Sequence, residues 1–283
     1  MQQVTVRVPA STSNLGPGFD CLGVALALYN QVTIKLGNAG GSNRMVRGAA
    51  RKFFAVANCK PFNFSCDIHG NVPIGRGLGS SVTVRLGVLH ALNEIARTKL
   101  GRDELFKLCA ELEGHPDNAA PASFGGFTIA RRTEVQHFNV SPQLCFILLI
   151  PSFEIATIEA RRVLPPDVLR TNAARNAANV AAIAAAFARR DYERLRGCFV
   201  DYLHQPFRKR LIPFLDRVIT AAEGAGALGA FLSGSGSAIC ALALHDSKKI
   251  AAAMLRASRL FHTQTVITRA DNRGVRVFKS AIE

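Results

Sequence analysis

The chain has 283 residues, 48% hydrophobic and 19% charged, which is a globular balance with length for one large or two ordinary cores. Its seven cysteines are scattered singly, with no CxxC pair, which excludes a disulfide framework or zinc site and leaves reduced thiols. The net charge of +15 raises a nucleic-acid binder as a rival, but Lys and Arg exceed Asp and Glu by 15 to 9 in residues 1–150 and by 20 to 11 afterwards, so the excess forms no tail.

Met1-Gln2-Gln3 runs directly into a strand pattern, Gln3 to Val8, with no basic start and apolar segment of the kind a signal peptide needs. The loop Pro9 to Asp20 follows, dense in turn formers, with Asn14 and Asp20 bracketing a Gly-Pro-Gly turn. Asn30 to Leu36 alternates as a strand, Gly37 to Asn43 is a loop, and Met45 to Ala57 reads as a basic helix with Met45, Ala49, Phe53 and Ala57 inward. Asn63 to Ile68 is a further strand. It delivers the chain to Val72–Thr83, a loop with glycines at 75, 77 and 79 that ends in Ser80-Ser81 and enters a helix whose apolar face carries Val84, Val88, Ala91 and Leu92.

Glycines let backbone N–H groups approach a phosphate, and the helix N-terminus adds unpaired donors and partial positive charge. No lysine follows Gly79, so the Walker pattern is absent, and an ordinary turn with a Ser N-cap remains open on these residues alone. A second helix, Asp103 to Glu113, buries Leu105, Leu108 and Leu112 and stops at Gly114. Its exit, Glu113 to Pro121, holds Glu113, His115, Asp117 and Asn118; a solvated helix end and an Asx turn explain them singly, but together they favour a site.

Gly125 to Ala130 and Leu144 to Ile150 read as strands closing a sheet, and Pro151 marks a seam between units 1–150 and 151–283. After Thr157 to Val163 come a long Ala-rich helix from about Thr171 to Arg190, a helix from about Asp191 to Tyr202, a basic turn from Pro206 to Pro213 and a helix from Phe214 to Glu223. Ala227 to Leu242 forms two strands joined by a Ser-Gly alternation. A helix from Ser247 to Phe261 and strands near Thr265 and Val275 finish the chain, an order that suggests a ferredoxin-like second unit. The stretches around Cys145–Ile150 and Ala177–Phe187 are too short to cross a membrane, so a cytoplasmic protein is expected. Arg131-Arg132, Arg189-Arg190 and Arg208-Lys209-Arg210 read as solvated faces, and three Tyr with no Trp offer few stacking groups for nucleic acid, 18 Phe notwithstanding. A basic surface also suits an enzyme of anionic substrates.

Pro-x-x-x-Gly-Leu-Gly-Ser-Ser at 73–81 resembles the ATP-binding loop of the GHMP kinases, small-molecule kinases named for galactokinase, homoserine kinase, mevalonate kinase and phosphomevalonate kinase. Ser13-Asn14-Leu15-Gly16-Pro17-Gly18-Phe19-Asp20 resembles the family's first motif, and the Ser-Gly alternation between the two strands of Ala227 to Leu242 its third. The homoserine kinase branch is the nearest likeness, through Glu-Gly-His-Pro-Asp-Asn-x-x-Pro at 113–121, Thr157-Ile158-Glu159-Ala160-Arg161, and Arg208 before Leu211-Ile212-Pro213.

The resemblance implies an α+β GHMP kinase fold, with a ribosomal protein S5 domain 2-like N-terminal domain and a ferredoxin-like C-terminal domain. It implies ATP at Pro73, Ile74, Gly75, Arg76, Gly77, Leu78, Gly79, Ser80, Ser81, Val82 and Thr83, and Mg²⁺ at Ser81 with Glu113, or Glu111 in its place. L-homoserine would meet Asp20 through its ammonium and Arg161 and Arg208 through its carboxylate. Its hydroxyl would be held by Asn14, Asn118 or Thr157, with His115 as a positioning donor and Asp117 in a positioning role. Val82-Thr83 departs from the family's Ala-Ala, and the segment from Leu36 to Asn43 is short. The alternatives are another GHMP kinase, acting on mevalonate or a sugar, and a non-catalytic RNA-binding protein. A homodimer is admitted; a membrane partner is not expected.

Overall fold

The computed structural model describes residues 3–37 and 43–279, so most of the Gly37–Asn43 loop lies outside the described residues. Strands β1 (Gln3–Asn14) and β2 (Gly18–Leu36) form one long hairpin. The alternation read over Gln3–Val8 as an edge or half-buried strand is half-buried, and the loop read after it from Pro9 is corrected. The strand continues to Asn14 and lies inside the sheet, flanked by β2 and the last described strand. Pro9 is tolerated because the pairing with β2 slips between Pro9 and Ala10, a bulge where a missing N–H costs little. Val4, Val6 and Val8 alternate into the core, and beyond them every residue to Asn14 is buried, polar ones included.

The chain continues through α1 (Arg44–Val56), β3 (Phe64–Gly70), α2 (Ser80–Ile95), α3 (Arg102–Glu113), α4 (Ala119–Phe124), β4 (Phe127–Arg131) and β5 (Glu134–Phe138). In α1 the inward residues are Val46, Ala49, Ala50 and Phe53, with Met45 only half-buried. Helix α2 is not one-faced as its pattern suggests. Twelve of its residues are buried, because it lies between the sheet and helices α1 and α3, which is where an all-round apolar helix belongs.

The remaining elements are β6 (Cys145–Ile150), α5 (Thr157–Arg162), α6 (Arg170–Arg189), α7 (Gln205–Arg208), α8 (Leu215–Gly224), β7 (Gly229–Leu232), β8 (Ile239–Ala243), α9 (Ser247–Ser258), β9 (Gln264–Thr268) and β10 (Arg276–Lys279). The helix expected over Asp191–Tyr202 is a single 3₁₀ turn at Tyr192–Leu195. Gly197 then adopts φ +78°, and Tyr192, Leu195 and Phe199 pin the segment into the core by their side chains instead.

Strand β6 does not close the first sheet. It is an inner strand of a second, antiparallel sheet ordered β7-β8-β6-β9. With β6 first, the second unit reads β-α-β-β-α-β, the ferredoxin-like order, in which β6 supplies the opening strand that the sequence reading lacked. Phe146, Leu148 and Ile150 face the core shared with β2, β4 and α6, while Cys145, Ile147 and Leu149 face the core under α8 and α9. A strand buried on both faces reads as an unbroken apolar run, with no alternation to say which sheet owns it. The chain thus enters the second sheet before Pro151 and returns at its end, where β10 pairs with β1.

Gly87, in mid-α2, gives a test of this packing. Glycine to alanine inside a helix ordinarily gains up to about 1 kcal/mol. Here a Cβ would stand 2.4 Å from Val32 Cγ2, on a stiff β-branched side chain of β2. Gly87→Ala is therefore expected to lower stability by about 1–3 kcal/mol in urea unfolding, and Val32→Ala in the same chain to restore part of it; a stabilised single variant would refute the close approach.

Candidate active site

Segments far apart in the sequence meet around a cleft of about 510 Å³, within the range of small-molecule sites. They are the β1–β2 turn, the loop entering α2, the exit of α3, helix α5, the end of α7, and the turn between β7 and β8.

The loop before α2 depends on left-handed backbone, with Gly75, Gly77 and Gly79 at φ +65°, +70° and +68°. A Cβ on Gly77 would fall 2.0 Å from the Ser233 carbonyl oxygen, and one on Gly79 would fall 2.3 Å from Ser11 Oγ, so β1 and the β7–β8 turn press on the loop from behind. Gly79 is the N-cap of α2 and provides no side-chain acceptor, which leaves first-turn N–H groups free for an anion. Arg76, placed with the ATP loop by the sequence, lines the cleft but spends its guanidinium on the frame. It donates to the carbonyl oxygens of Ile74, Pro151 and Ser152, and it faces Glu154 at 3.4 Å, stapling the loop to the segment before α5. Pro73 and Thr83 stay out of the cleft lining. The Thr83 hydroxyl donates to the Ser80 carbonyl at 2.7 Å and accepts from Asn30 Nδ2 at 2.8 Å, while Asn30 Oδ1 accepts the Val72 N–H. Asn30, which the sequence reading passed over, thus ties both ends of the loop to β2.

Ser81 Oγ donates to Glu113 Oε2 at 2.9 Å. Arg85 Nη1 stands 2.9 Å from Glu113 Oε1, but Oε1 is buried and receives no hydrogen bond of proper angle. Burial pushes the Glu113 carboxyl up, against the pull of Arg85 and Ser81. Glu111 is elsewhere: it is more than half exposed and pairs with Lys52 at 2.7 Å. Between the two acidic residues, only Glu113 lines the cleft.

Asp117 is almost fully buried, with Oδ1 2.6 Å from His115 Nδ1 and 2.9 Å from the Asn118 N–H. Burial alone would raise its pKa, but the His115 bond and charge, helped by Ser13 and the Asn118 N–H, hold the carboxyl below its ordinary range. Burial likewise disfavours a charged His115, and the bond and charge of Asp117 overcome it, so the imidazole pKa is raised. The Asn118 carboxamide is engaged at both ends, accepting from Ser11 Oγ at 2.8 Å and donating to Ser13 Oγ at 2.9 Å. Asn14, itself at φ +70°, donates to the Gly234 carbonyl at 3.0 Å and accepts the Asp20 N–H at 3.1 Å. Each amide is held in place at both ends, yet a carboxamide offers two N–H donors and two oxygen lone pairs, so both, which line the cleft, keep capacity for a further hydrogen bond. Both help build the wall, and the Thr157 hydroxyl and the Nε2 edge of His115 make no hydrogen bond among the described residues.

At the far end Asp20 receives both Arg161 Nη atoms, at 3.1 and 2.7 Å. Arg208 is buried, not part of a solvated basic face; Nε donates to the Ala160 carbonyl and Nη1 to the Gly234 carbonyl at 2.9 Å, leaving Nη2 for the cleft. Burial and then the neighbouring Arg161 lower its pKa to about 10, so it stays charged at neutral pH. Both guanidinium groups lie over Phe19, at 5.4 and 5.2 Å from the ring centroid. Asp20, His115 and Asp117 stand within 4.8 Å of one another by their ligand atoms, but Asp20 is paired with Arg161 and Asp117 with His115.

Linkage fixes the sign of the pH dependence. The raised His115 pKa stabilises the fold fully below its unfolded value of 6.5, an advantage lost as pH rises through the folded pKa; the lowered Asp117 pKa stabilises above 3.8, an advantage lost as pH falls through its folded value. The stability gap between the wild type and His115→Asn should therefore be wider at about pH 6 than at about pH 9 in urea unfolding. A gap that is flat, or that widens toward high pH, would contradict the pairing.

The family models for the GHMP kinases N terminal domain and the GHMP kinases C terminal match residues 44–126 and 183–259. The homoserine kinase of Carboxydothermus hydrogenoformans is 36% identical, covering 96% of this chain and 95% of its own length. That of Microchaete diplosiphon is 38% identical over 97% of this chain and 95% of its own. The crystal structure of homoserine kinase from Cytophaga hutchinsonii superposes with a TM-score of 0.88 at 26% identity, covering 98% of both chains. The Methanococcus jannaschii mevalonate kinase, at 16% identity and a TM-score of 0.70 over 94% of this chain and 97% of its own, shares the fold. The chain belongs to the GHMP kinase family, and within it to the homoserine kinases.

Proposed function

We propose that this protein transfers the γ-phosphoryl group of ATP to the side-chain hydroxyl of L-homoserine, giving O-phospho-L-homoserine for threonine formation. The observation that carries this reading is the meeting, in one cleft, of an anion-seeking helix N-terminus and an acceptor end built of one carboxylate, Asp20, and two guanidinium groups, Arg161 and Arg208. That end is the complement of a zwitterion. An incoming α-carboxylate replaces Asp20 as the partner of Arg161 and reaches Arg208, while the α-ammonium takes up Asp20.

The phosphates of ATP rest on the backbone of Gly75 to Gly79 and the first turn of α2, and the apolar end near Met45, Ile68 and Ile74 takes the base. Transfer is direct and in line, so the protein's contribution is position and charge placement rather than covalent chemistry. Asn14, Asn118 and Asp117 keep the walls rigid, and Thr157, His115 and the second N–H of Asn14 are groups that can orient the acceptor hydroxyl. Ser81 and Glu113 suit Mg²⁺, because the buried Glu113 Oε1, though 2.9 Å from Arg85 Nη1, makes no hydrogen bond among the described residues, and hydroxyl and carboxylate are the hard ligands that ion takes. When bound, Mg²⁺ would neutralise phosphate charge. No described helix is long and apolar enough to cross a membrane, and we place the enzyme in the cytoplasm.

Truncated acceptors test the zwitterion reading. 4-Hydroxybutyrate lacks the ammonium and 3-aminopropan-1-ol lacks the carboxylate, and each should lose at least about tenfold in kcat/KM against L-homoserine, from a forfeited charged contact of roughly 1.5–3 kcal/mol. Arg208→Ala should raise KM for homoserine at least about tenfold while leaving KM for ATP within about twofold. Equal turnover of the truncated acceptors, or equal rises in both KM values, would remove carboxylate recognition from this end of the cleft.

A further inference from the structure

His204 enters neither the family motifs nor the chemistry above, yet it is fully buried one turn before Arg208. Its Nε2 lies 2.8 Å from the Gly16 carbonyl oxygen, and its Nδ1 lies 3.2 Å from Arg208 Nη1. A guanidinium can only donate and a carbonyl can only accept, so both contacts are hydrogen bonds in one form of the ring: neutral, with the proton on Nε2. Burial drives the imidazole pKa down to about 4 against the pull of Asp201, in keeping with that form. Asp201 Oδ2 stands 3.4 Å from Nε2, but its carboxylate already accepts the backbone N–H groups of Leu203, His204 and Gln205. It caps the start of α7 and is not an ion-pair partner of the ring.

The two ends of this bridge belong to the two halves of the acceptor site. Gly16 sits in the β1–β2 turn that presents Phe19 and Asp20, and the neighbouring Pro17 carbonyl is held by Asn176 of α6 at 2.7 Å. The His204 ring also stacks on Phe19, with centroids 5.2 Å apart. Arg208 reaches the cleft from the other side, its Nη1 shared between His204 and the Gly234 carbonyl. We propose that His204 is a positioning residue for acceptor recognition: its ring ties the Arg208 guanidinium to the Gly16 turn and so fixes where Arg208 meets the acceptor carboxylate. The proposal rests on the homoserine reading above.

His204→Phe keeps the ring and its stacking on Phe19 but loses both hydrogen bonds. A positioning role predicts a rise in KM for homoserine of about tenfold, or ~1.4 kcal/mol, with KM for ATP within about twofold. A ring that merely fills space predicts wild-type constants, and that result, or a parallel rise for ATP, overturns the proposal. Should His204→Phe not fold, His204→Asn, which keeps an acceptor in reach of Arg208, is compared with His204→Gln, which keeps only the donor to Gly16. The larger rise belongs to Gln, and the reverse order overturns the proposal. Nitrogen NMR of the wild-type ring near neutral pH needs no acceptor and separates the two readings. Protonation at Nε2 alone supports the bridge even if homoserine is not turned over, in which case the homoserine reading fails and not the link to Arg208; a ring protonated at Nδ1 overturns the bridge whatever the acceptor.

Discussion

The site depends on a buried polar seam that joins β1 to the exit of α3 and to the β7–β8 turn. Ser11 and Ser13 bind the Asn118 carboxamide, the Thr12 hydroxyl meets Ser233 Oγ at 2.8 Å, Asn14 reaches the Gly234 carbonyl, and Ser233 Oγ donates to the Gly77 carbonyl at 2.7 Å. Buried hydroxyls and amides without partners would cost on the order of 1–3 kcal/mol each, whereas a closed network holds one arrangement against all others. The seam therefore sets where the phosphate loop stands relative to the acceptor end. Two segments more than two hundred residues apart become one wall.

Rigidity of that wall explains why the cleft can be open and still ordered. The left-handed turn at Asn14, Leu15 and Gly16 is held by Asn14 itself, by Asn176 and by His204, and Asp20, also at positive φ, is aimed from it into the cleft. Strained backbone of this kind persists only where its surroundings over-determine it. The Asp20–Arg161 pair then stands ready for exchange: both members are about a third exposed, so a zwitterionic acceptor replaces a half-solvated ion pair without stripping a buried charge.

Much of this was legible in the sequence where residue type and local geometry are one and the same. Gly75, Gly77 and Gly79 announce left-handed backbone before a helix, and Glu113 to Asn118 crowd chemistry into a helix exit. Less was legible where the deciding contact lies far along the chain. Pro9 and the small polar residues after it have the composition of a loop, and only the partners β2, Asn118 and Ser233 make them a buried strand. Cys145 to Ile150 is apolar on both faces, so its sheet could not be assigned by periodicity. Asn14, Asn118 and Arg76 carry the polar groups a ligand would want, and the fold engages them in its own frame. Asn30 and His204 offered no motif, and their roles come from Thr83, Gly16 and Arg208.

The chain's basic excess fits this picture without nucleic acid, since the arginines that matter to the cleft are buried or half-buried and each is aimed by a defined partner. The most direct measurement is ATP consumption with Mg²⁺ in the presence of L-homoserine, mevalonate, galactose or no acceptor. A zwitterion site built on Asp20, Arg161 and Arg208 predicts turnover with L-homoserine alone, and turnover of mevalonate or galactose in its place, or of none of the three, would contradict it.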